Sequence, residues 1–523
     1  MHNPSSRHGQ LVAWSERFKQ PPRKPGFFIY FCLILGTLIA FAPMLGSDLL
    51  WTPYDSVERS PYQSMESWTE VLSGDSLRSQ DPLSLLSNFA EAALPLPTPA
   101  LHRSINILLH LGAVLILLQL LTLLRAPGRV LASTAFAFHP AVVQTLFWPG
   151  YRTEILALVL ILSCLFFGLR NRSSKDYIAA LLLAVLASLL HPAALCLPVL
   201  LGLGILYQVR HPHMSDFNRV LPFLGLATFI GVWTLGGSTG TAAAPLPEGL
   251  SQLNLAGENM FFFIRQSFMP LILGLFHPYT EGSQYQVGAQ MSLLPFCIFI
   301  PLYIVIGMNF RKLWSRSLLF GLTAFLLLSI YGATQAGYYL DGSLAHEEHS
   351  LYIVLPIALS LLICHLAGFV RFIAQPLKPL WAVGISIALI CLFVLTASYS
   401  YAIGDQVRMW QSIELLWPES WIPKAALIDF ESERGTELYT ADERMVRLEE
   451  ILEARPEQHE RRLMLARIYA EKGQDTNANR EYKRLLREAE PDNALLEEAA
   501  TFFDSVGLTW DANNARARIQ PQP

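Results

Sequence analysis

Long apolar runs separated by short polar loops fill most of this chain between residues 27 and 401. A helix needs about 20 apolar residues to cross the hydrocarbon core of a bilayer, and it satisfies its backbone hydrogen bonds internally. The whole chain is 52% hydrophobic and only 15% charged, which excludes a soluble globule and a disordered chain. We therefore predict an all-α, polytopic membrane bundle of about eleven spans. The predicted spans are Phe27–Leu45, Ser104–Leu124, Val130–Trp148, Glu154–Leu169, Tyr177–Leu190, Ala193–Val209, Leu221–Leu235, Leu293–Phe310, Leu318–Tyr331, Leu351–Val370 and Leu380–Tyr401.

Lysine and arginine alternate between richer and poorer loops along the chain, and this predicts an orientation. The basic segment 1–26 is predicted to be cytoplasmic, and the acidic loop 47–100, which includes an amphipathic helix, is predicted to lie outside. Counting Asn259–Phe276 as a span would reverse the pattern, so we predict an interfacial helix there. Compact loops and the absence of organelle signals favour a bacterial inner membrane. The pair of spans around His191–Pro192 remains open to a second interpretation, one long kinked helix.

The last part of the chain, residues 404–523, is polar and shows an internal repeat with a period of 34 residues. That period, with small, aromatic and glycine positions in this order, is typical of tetratricopeptide (TPR) repeats. The positions are Ala466, Tyr469, Gly473 and Ala478, followed by Ala500, Phe503, Gly507 and Ala512. We predict an extracytoplasmic TPR-like α-solenoid that binds a protein partner or acceptor. Unrelated helical hairpins are the alternative.

Polar residues at membrane depth are functional candidates, and here they gather on the predicted outer side. The candidates are Asp55, Asn106, His110, His139, Arg152, Glu154, His191 and Arg265. A carboxylate that acts as a general base, with Arg or His to hold a phosphate, is what transfer from a lipid-phosphate sugar requires. Each group also has a structural interpretation, as a solvated loop or as a bond between helices.

Local pattern and composition bear on two further partners, a divalent metal and nucleic acid. The run His346–His349 is either an exposed loop or a weak site for a divalent metal, because it lacks the spacing of a zinc motif. No cofactor is therefore assigned with certainty, and a divalent metal stays possible. A net charge of −4 is too small to indicate a nucleic-acid partner.

Several segments resemble, in order, the transmembrane-and-TPR-repeat O-mannosyltransferase-like family of the GT-C glycosyltransferase class. They are HRSINILLHLGAVLI (102–116), AFAFHPAVVQTLFWPGYRTEILA (135–157), LLHPAALCLPVLL (189–201), FFFIRQSFMPLILGLFHPY (261–279) and EHSLYIVLPIALSLL (348–362). The resemblance implies a GT-C-like fold for residues 27–403, a polyprenyl- or dolichyl-phosphate sugar donor and an acceptor outside the cytoplasm.

The resemblance also implies roles for individual residues. Asp55 would be the general base, and Arg152 and His191 would contact the lipid phosphate, with Arg265 as a further candidate. His139 and Glu154 would organise the pocket.

Some family positions differ in this chain. The paired acids after the first span correspond to Tyr54–Asp55, and a basic residue is replaced by Asp81. His191 stands where the family has Lys, and His349 lies where it has Asp-Arg-Tyr. These differences favour a second hypothesis, a catalytically degenerate membrane scaffold whose TPR tail recruits envelope proteins. A transporter is disfavoured, because the sequence shows no inverted repeat.

Overall fold

The computed structural model describes residues 24–46, 99–148, 151–170, 172–209, 212–237, 250–270, 277–278, 294–334, 337–338, 344–346, 348–370, 375–488 and 492–519. The chain divides into two compact units, Met1–Asp405 and Gln406–Pro523. We call the first the membrane unit and the second the tail unit. Asp55 and the rest of the predicted outer loop through residue 98 lie outside the described residues.

Apolar helices build the membrane unit, and a helix or a helix pair coincides with each of the predicted spans. The helices are α1 (Phe27–Phe41), α2 (Pro99–Leu123), α3 (Arg129–Ala137), α4 (Val143–Phe147), α5 (Arg152–Arg170), α6 (Ser174–Leu190), α7 (Leu197–Gln208), α8 (Met214–Phe217), α9 (Leu221–Gly237), α10 (Leu250–Phe268), α11 (Leu294–Met308), α12 (Leu313–Thr334), α13 (Leu355–Phe369) and α14 (Lys378–Ile403).

Four of the described helical segments are long and apolar enough to cross a membrane on their own. They are Phe27–Gly46, Ala100–Leu123, Arg152–Arg170 and Gln375–Ile403. Only 6% of the apolar window in the last segment is buried within the protein, so its surface requires a hydrocarbon surrounding. The prediction of an integral, helical membrane protein is confirmed. The number of about eleven spans stays a prediction, since the other apolar helices are shorter or bent.

The predicted span Val130–Trp148 is not one helix, because it breaks at His139–Pro140. Its two parts, Arg129–Ala137 and Pro140–Phe147, meet at an angle of 49°. Proline has no N–H to continue the ladder and disfavours a helical conformation in the residue before it. His139 is accordingly extended (φ −84°, ψ 125°), and Pro140–Val142 forms a 3₁₀ turn that begins the second part.

The same His-Pro arrangement separates α6 from α7 at His191–Pro192. His191 is extended (φ −155°, ψ 128°), and Pro192–Cys196 forms a 3₁₀ turn before α7 begins. The helix is therefore interrupted at this pair, and whether α6 and α7 are two spans or one kinked span stays a prediction.

At the helix predicted over Asn259–Phe276 the structure has α10, which begins earlier, at Leu250, and ends at Phe268. Phe263, Gln266 and Ser267 on this helix are buried, and α10 packs against α11, α12 and α13. Residues 271–276 lie outside the described ones. One face of this helix is thus covered by protein, and its placement at the membrane interface stays a prediction.

The fold is all-α as predicted, with one small antiparallel sheet in addition. Its strands are β1 (His277–Pro278), β2 (Gly337–Tyr338) and β3 (Leu344–His346), in the order β1-β3-β2. His277 pairs with His346, and Gly337 pairs with Ala345. Strands of two or three residues are too short to produce an alternating pattern, which is why the sequence did not predict them.

The tail unit is helical throughout its described residues except for short connections. Its helices are α15 (Gln406–Leu416), α16 (Trp421–Arg434), α17 (Ala441–Ala454), α18 (His459–Glu471), α19 (Asp475–Glu488), α20 (Asn493–Ser505) and α21 (Thr509–Ala517). The equivalent glycines of the 34-residue repeat, Gly473 and Gly507, are both left-handed (φ 67° and 77°) at the turns after α18 and α20. The repeat's alanine and aromatic positions are all buried. The tetratricopeptide assignment itself stays a prediction.

Candidate functional site

A buried hydrogen-bond network joins the start of α5 to α2. Arg152 is the first residue of α5 and is completely buried. Its Nε donates to Oδ1 of Asn106 at 2.8 Å, and its Nη2 lies 3.3 Å from both the carbonyl oxygen and Nδ1 of His102. His102 and Asn106 share one face of α2, since they are four residues apart. The guanidinium of Arg152 therefore holds two helices together.

Asn106 extends this network to a third element. Its Nδ2 donates to the carbonyl of Leu146 at 3.1 Å and to that of Trp148 at 3.4 Å, at the end of α4. The amide is completely buried and uses both its donor and its acceptor atoms. The arrangement fits the structural interpretation of Asn106, and the predicted substrate contacts of Asn106 and Arg152 stay predictions.

His110 lies one turn beyond Asn106 on the same face of α2. It is completely buried, and its Nδ1 is 2.9 Å from the hydroxyl of Tyr352. The rings of Phe136 and Phe41 pack edge-on against it, with centroids 4.9 and 5.7 Å away. His110 thus bonds a neighbouring segment inside an aromatic cluster, and its assignment to substrate binding stays a prediction.

His139 and His191 use the same ring atom to cap the turns that follow them. Nδ1 of His139 accepts from the N–H of Ala141 at 3.3 Å, and Nδ1 of His191 accepts from the N–H of Ala193 at 3.2 Å. An accepting Nδ1 places the hydrogen of a neutral imidazole on Nε2. In His139 this Nε2 lies 3.2 Å from the carbonyl of Ser267, which connects the turn to α10.

Glu154 and His349 form the partly exposed centre of this end of the membrane unit. Nε2 of His349 lies 3.9 Å from Oε1 of Glu154, and the two side chains are 13% and 17% exposed. The His349 ring stacks on Tyr151 with centroids 4.0 Å apart and planes 9° from parallel. It also interacts electrostatically with His191.

The short turn Glu348–Leu351 brings His349 to this place. It packs against the 3₁₀ turn Pro140–Val142 and against α4. Tyr352, the residue after the turn, holds His110. The structure therefore brings the neighbourhoods of His110, His139, Glu154 and His191 together around one turn.

Two predicted site residues remain, Arg265 and Asp55. Arg265 lies near the end of α10, with its guanidinium 5.7 Å from the ring centroid of Phe262. It shares this helix with Ser267, the partner of His139. Asp55 lies outside the described residues, so its place relative to Glu154 stays a prediction.

Three participants were missed from the sequence. Arg103 is buried, lies 4.3 Å above the Phe147 ring and donates to the carbonyl of Met44 at 3.2 Å. Its charge inside an apolar run was a usable signal. Tyr151 directly precedes Arg152, and an aromatic residue beside a candidate residue was a second signal. Tyr352 gave none, because an aromatic residue in an apolar helix is ordinary.

The possible divalent metal finds no ligand set among the described residues, where no group of three His, Cys, Asp or Glu side chains is close enough to hold an ion. Glu347, within the run that suggested it, lies outside those residues.

An apolar cleft of about 120 Å³ runs through the membrane unit between α2, α5, α7, α12 and α13. Ile353 and Pro356 line it near Tyr352, and His365 and Ser317 line it further along α13 and α12. Nε2 of His365 lies 2.9 Å from Oγ of Ser317, so the polar groups in this stretch are bonded to each other. The cleft therefore offers hydrocarbon-lined space that starts beside the polar centre.

No protein-family model matches the chain, and no curated protein matches it in sequence. Among solved structures, the arabinofuranosyltransferase AftD from mycobacteria is similar at 14% identity and a TM-score of 0.38, over 73% of this chain and 27% of that one. The oligosaccharyltransferase of Archaeoglobus fulgidus, tethered with an acceptor peptide, is similar at 14% identity and a TM-score of 0.38, over 79% of this chain and 59% of that one. This chain thus spans less than two thirds of each matched protein. Both similarities are low, so neither transfers an activity to it.

Proposed function

We propose that this protein is a membrane-embedded glycosyltransferase that uses a polyprenyl-phosphate-linked sugar to modify an acceptor outside the cytoplasm. The observation that carries the proposal is the partly exposed pair of Glu154 and His349, surrounded by the buried network of Arg152 and by the turn at His191. The ordered resemblance of five segments to GT-C proteins supports the same conclusion.

The reaction needs two kinds of group, and the chain offers both. An acceptor hydroxyl attacks the anomeric carbon of the sugar while a carboxylate takes its proton. Asp55 and Glu154 are the candidate carboxylates. The departing lipid phosphate needs positive charge or hydrogen-bond donors nearby. His191, Arg152 and Arg265 are the candidates for that role.

The apolar cleft supports the proposal that the sugar donor is linked to a lipid. A polyprenyl chain requires a continuous apolar path next to the site that binds its phosphate, and the cleft begins at Ile353, close to Tyr352. Leucines on α2 and α5 line most of its length. A water-soluble nucleotide-sugar would have no use for such a path.

The tail unit is proposed to bind the acceptor protein or an assembly partner. An open cleft of about 530 Å³ lies along α16 and α17, lined by charged side chains of both signs, including Lys424, Arg447 and Glu450. Lys424 and Glu450 pair across these helices at 2.6 Å. A mixed-charge surface of this kind suits a polar peptide better than an apolar one.

The test is sugar transfer by the purified full-length protein in lipid nanodiscs. Polyprenyl-phosphate sugars of several kinds are supplied with short hydroxyl-bearing peptides, and the release of polyprenyl phosphate is measured. We expect release that depends on the acceptor and that falls when Asp55 or Glu154 is replaced by its amide. A folded protein that releases no lipid phosphate from any donor would contradict the proposal.

One observation favours a second function, a membrane scaffold without catalysis. Arg152, the most buried cation of this region, already bonds Asn106 and His102, so its charge serves packing. Deleting residues 405–523 separates the two functions. A scaffold loses its co-purifying envelope proteins and its cellular phenotype together, whereas an enzyme retains hydrolysis of the donor.

A further inference from the structure

We infer that Glu154, paired with His349, accepts the proton of the acceptor hydroxyl in this site, in the role that the sequence assigned to Asp55. The inference rests on the proposed function and names the base of that reaction. It is carried by the 3.9 Å approach of Glu154 Oε1 to His349 Nε2 and by the partial exposure of both side chains.

Four other polar side chains of the site are poorly suited to act as the general base. Arg152 carries a permanent positive charge and is completely buried. Nδ1 of His139 and Nδ1 of His191 each accept a backbone N–H, so protonating either atom would break the cap of the following turn. Asn106 has no basic atom. Glu154 is instead a carboxylate with a partly exposed side chain, a group of the type that acts as a general base.

The local structure positions both side chains. Glu154 lies in the first turn of α5, where the helix dipole stabilises a negative charge. The stack on Tyr151 fixes the plane of the His349 ring. His349 is thereby a positioning residue beside the carboxylate of Glu154.

Other titratable and charged groups surround this pair from each neighbouring element. They are His102 on α2, Arg152 and Tyr151 at the start of α5, and His191 at the turn before α7. Arg152 is the permanent cation among them.

The chemical step balances without a further reactant. The acceptor oxygen forms a bond to the anomeric carbon, and the bond from that carbon to the phosphate oxygen breaks, leaving its electron pair on the phosphate. The proton of the acceptor hydroxyl passes to Glu154. It is then released to water, because the lipid phosphate monoester carries one more negative charge than the diester donor.

The experiment compares Glu154→Gln, Asp55→Asn and His349→Gln in full-length protein, with thermal unfolding as a check on folding. Asp216→Asn is the matched control, because that carboxylate caps the short helix α8 away from this centre. Release of polyprenyl phosphate is measured against pH and against donor concentration. We expect Glu154→Gln to lower kcat by about 10²- to 10⁴-fold, the usual contribution of a general base, with little change in KM for the donor.

The pH profile separates catalysis from a structural effect. The wild-type rate should fall as the pH falls and the carboxylate takes up a proton. This acid limb should disappear in Glu154→Gln and persist in His349→Gln, because that substitution leaves the titrating carboxylate in place. An intact limb with near wild-type kcat in Glu154→Gln, and loss of activity in Asp55→Asn, would overturn the inference while leaving the proposed function in place. A wild-type protein that releases no lipid phosphate would overturn both.

Discussion

The buried amide of Asn106 is predicted to hold the polar end of the membrane unit together, and the change Asn106→Ala tests this directly. The substitution removes the bond from Arg152 at 2.8 Å and the two bonds to the carbonyls of Leu146 and Trp148. A hydrogen bond to a charged group contributes about 1.5–3 kcal/mol, and a neutral one contributes about 1 kcal/mol. Bonds between membrane helices are often weaker, with an average of about 0.6 kcal/mol. We therefore expect a loss of about 3 kcal/mol in the free energy of unfolding.

The assay is reversible unfolding of the full-length protein in mixed micelles, titrated with a denaturing detergent. Asn309→Ala is the matched control, because the side chain of Asn309 bonds only locally to the carbonyl of Val305 in the described structure. We expect it to cost less than about 1 kcal/mol. A double-mutant cycle with Arg152→Met should show a coupling of at least about 1 kcal/mol between Asn106 and Arg152. A coupling near zero, or a loss no larger than that of the control, would refute the network as a stabilising element.

Three further predictions concern the tail unit. Glu481→Ala leaves the buried guanidinium of Arg462 without its carboxylate partner at 2.8 Å, so it should destabilise this unit by about 3–5 kcal/mol, measured by hydrogen exchange. Burial by itself raises the pKa of Glu431, but bonds from Arg444 and from two backbone N–H groups outweigh it and lower the pKa below its ordinary value of 4.5. The stability from this carboxylate is present above that value and is lost as the pH falls further, so Glu431→Gln should flatten the acid side of the pH–stability curve. Gly473→Ala should cost about 1 kcal/mol in thermal unfolding, because its φ is 67° and no atom obstructs the added methyl group.

Apolar runs were sufficient to predict where the helices lie, because burial in lipid leaves a strong compositional signal. The breaks inside those runs were less evident. The His-Pro pair at 191 was recognised as a point where a helix could bend, and the same pair at 139 was passed over. Both positions carry the same local cause, a proline without an N–H and a histidine ring that caps the next turn.

Polarity at membrane depth pointed to Asn106, Arg152, Glu154 and His191, but it could not say which of them are in contact. Arg152 was predicted to contact the lipid phosphate, which stays a prediction, and in the structure its guanidinium bonds Asn106 and His102. Partners 46 and 50 residues away in the chain depend on how α2 and α5 pack, which no local pattern encodes. The same limit applies to His349, whose approach to Glu154 joins segments that are far apart in sequence.

The small sheet shows a different limit. Its pairs join residue 277 to residue 346 and residue 337 to residue 345 through strands of two or three residues. Strands this short leave no alternating pattern in the sequence.

The most direct measurement is an experimental density map of the full-length protein in nanodiscs with a polyprenyl phosphate bound. The proposed function predicts phosphate density beside the exposed edges of Glu154 and His349, with the hydrocarbon chain entering the cleft at Ile353 and Pro356. Phosphate density at the opposite end of the helices, or a cleft that stays closed to the chain while the lipid binds elsewhere, would contradict it.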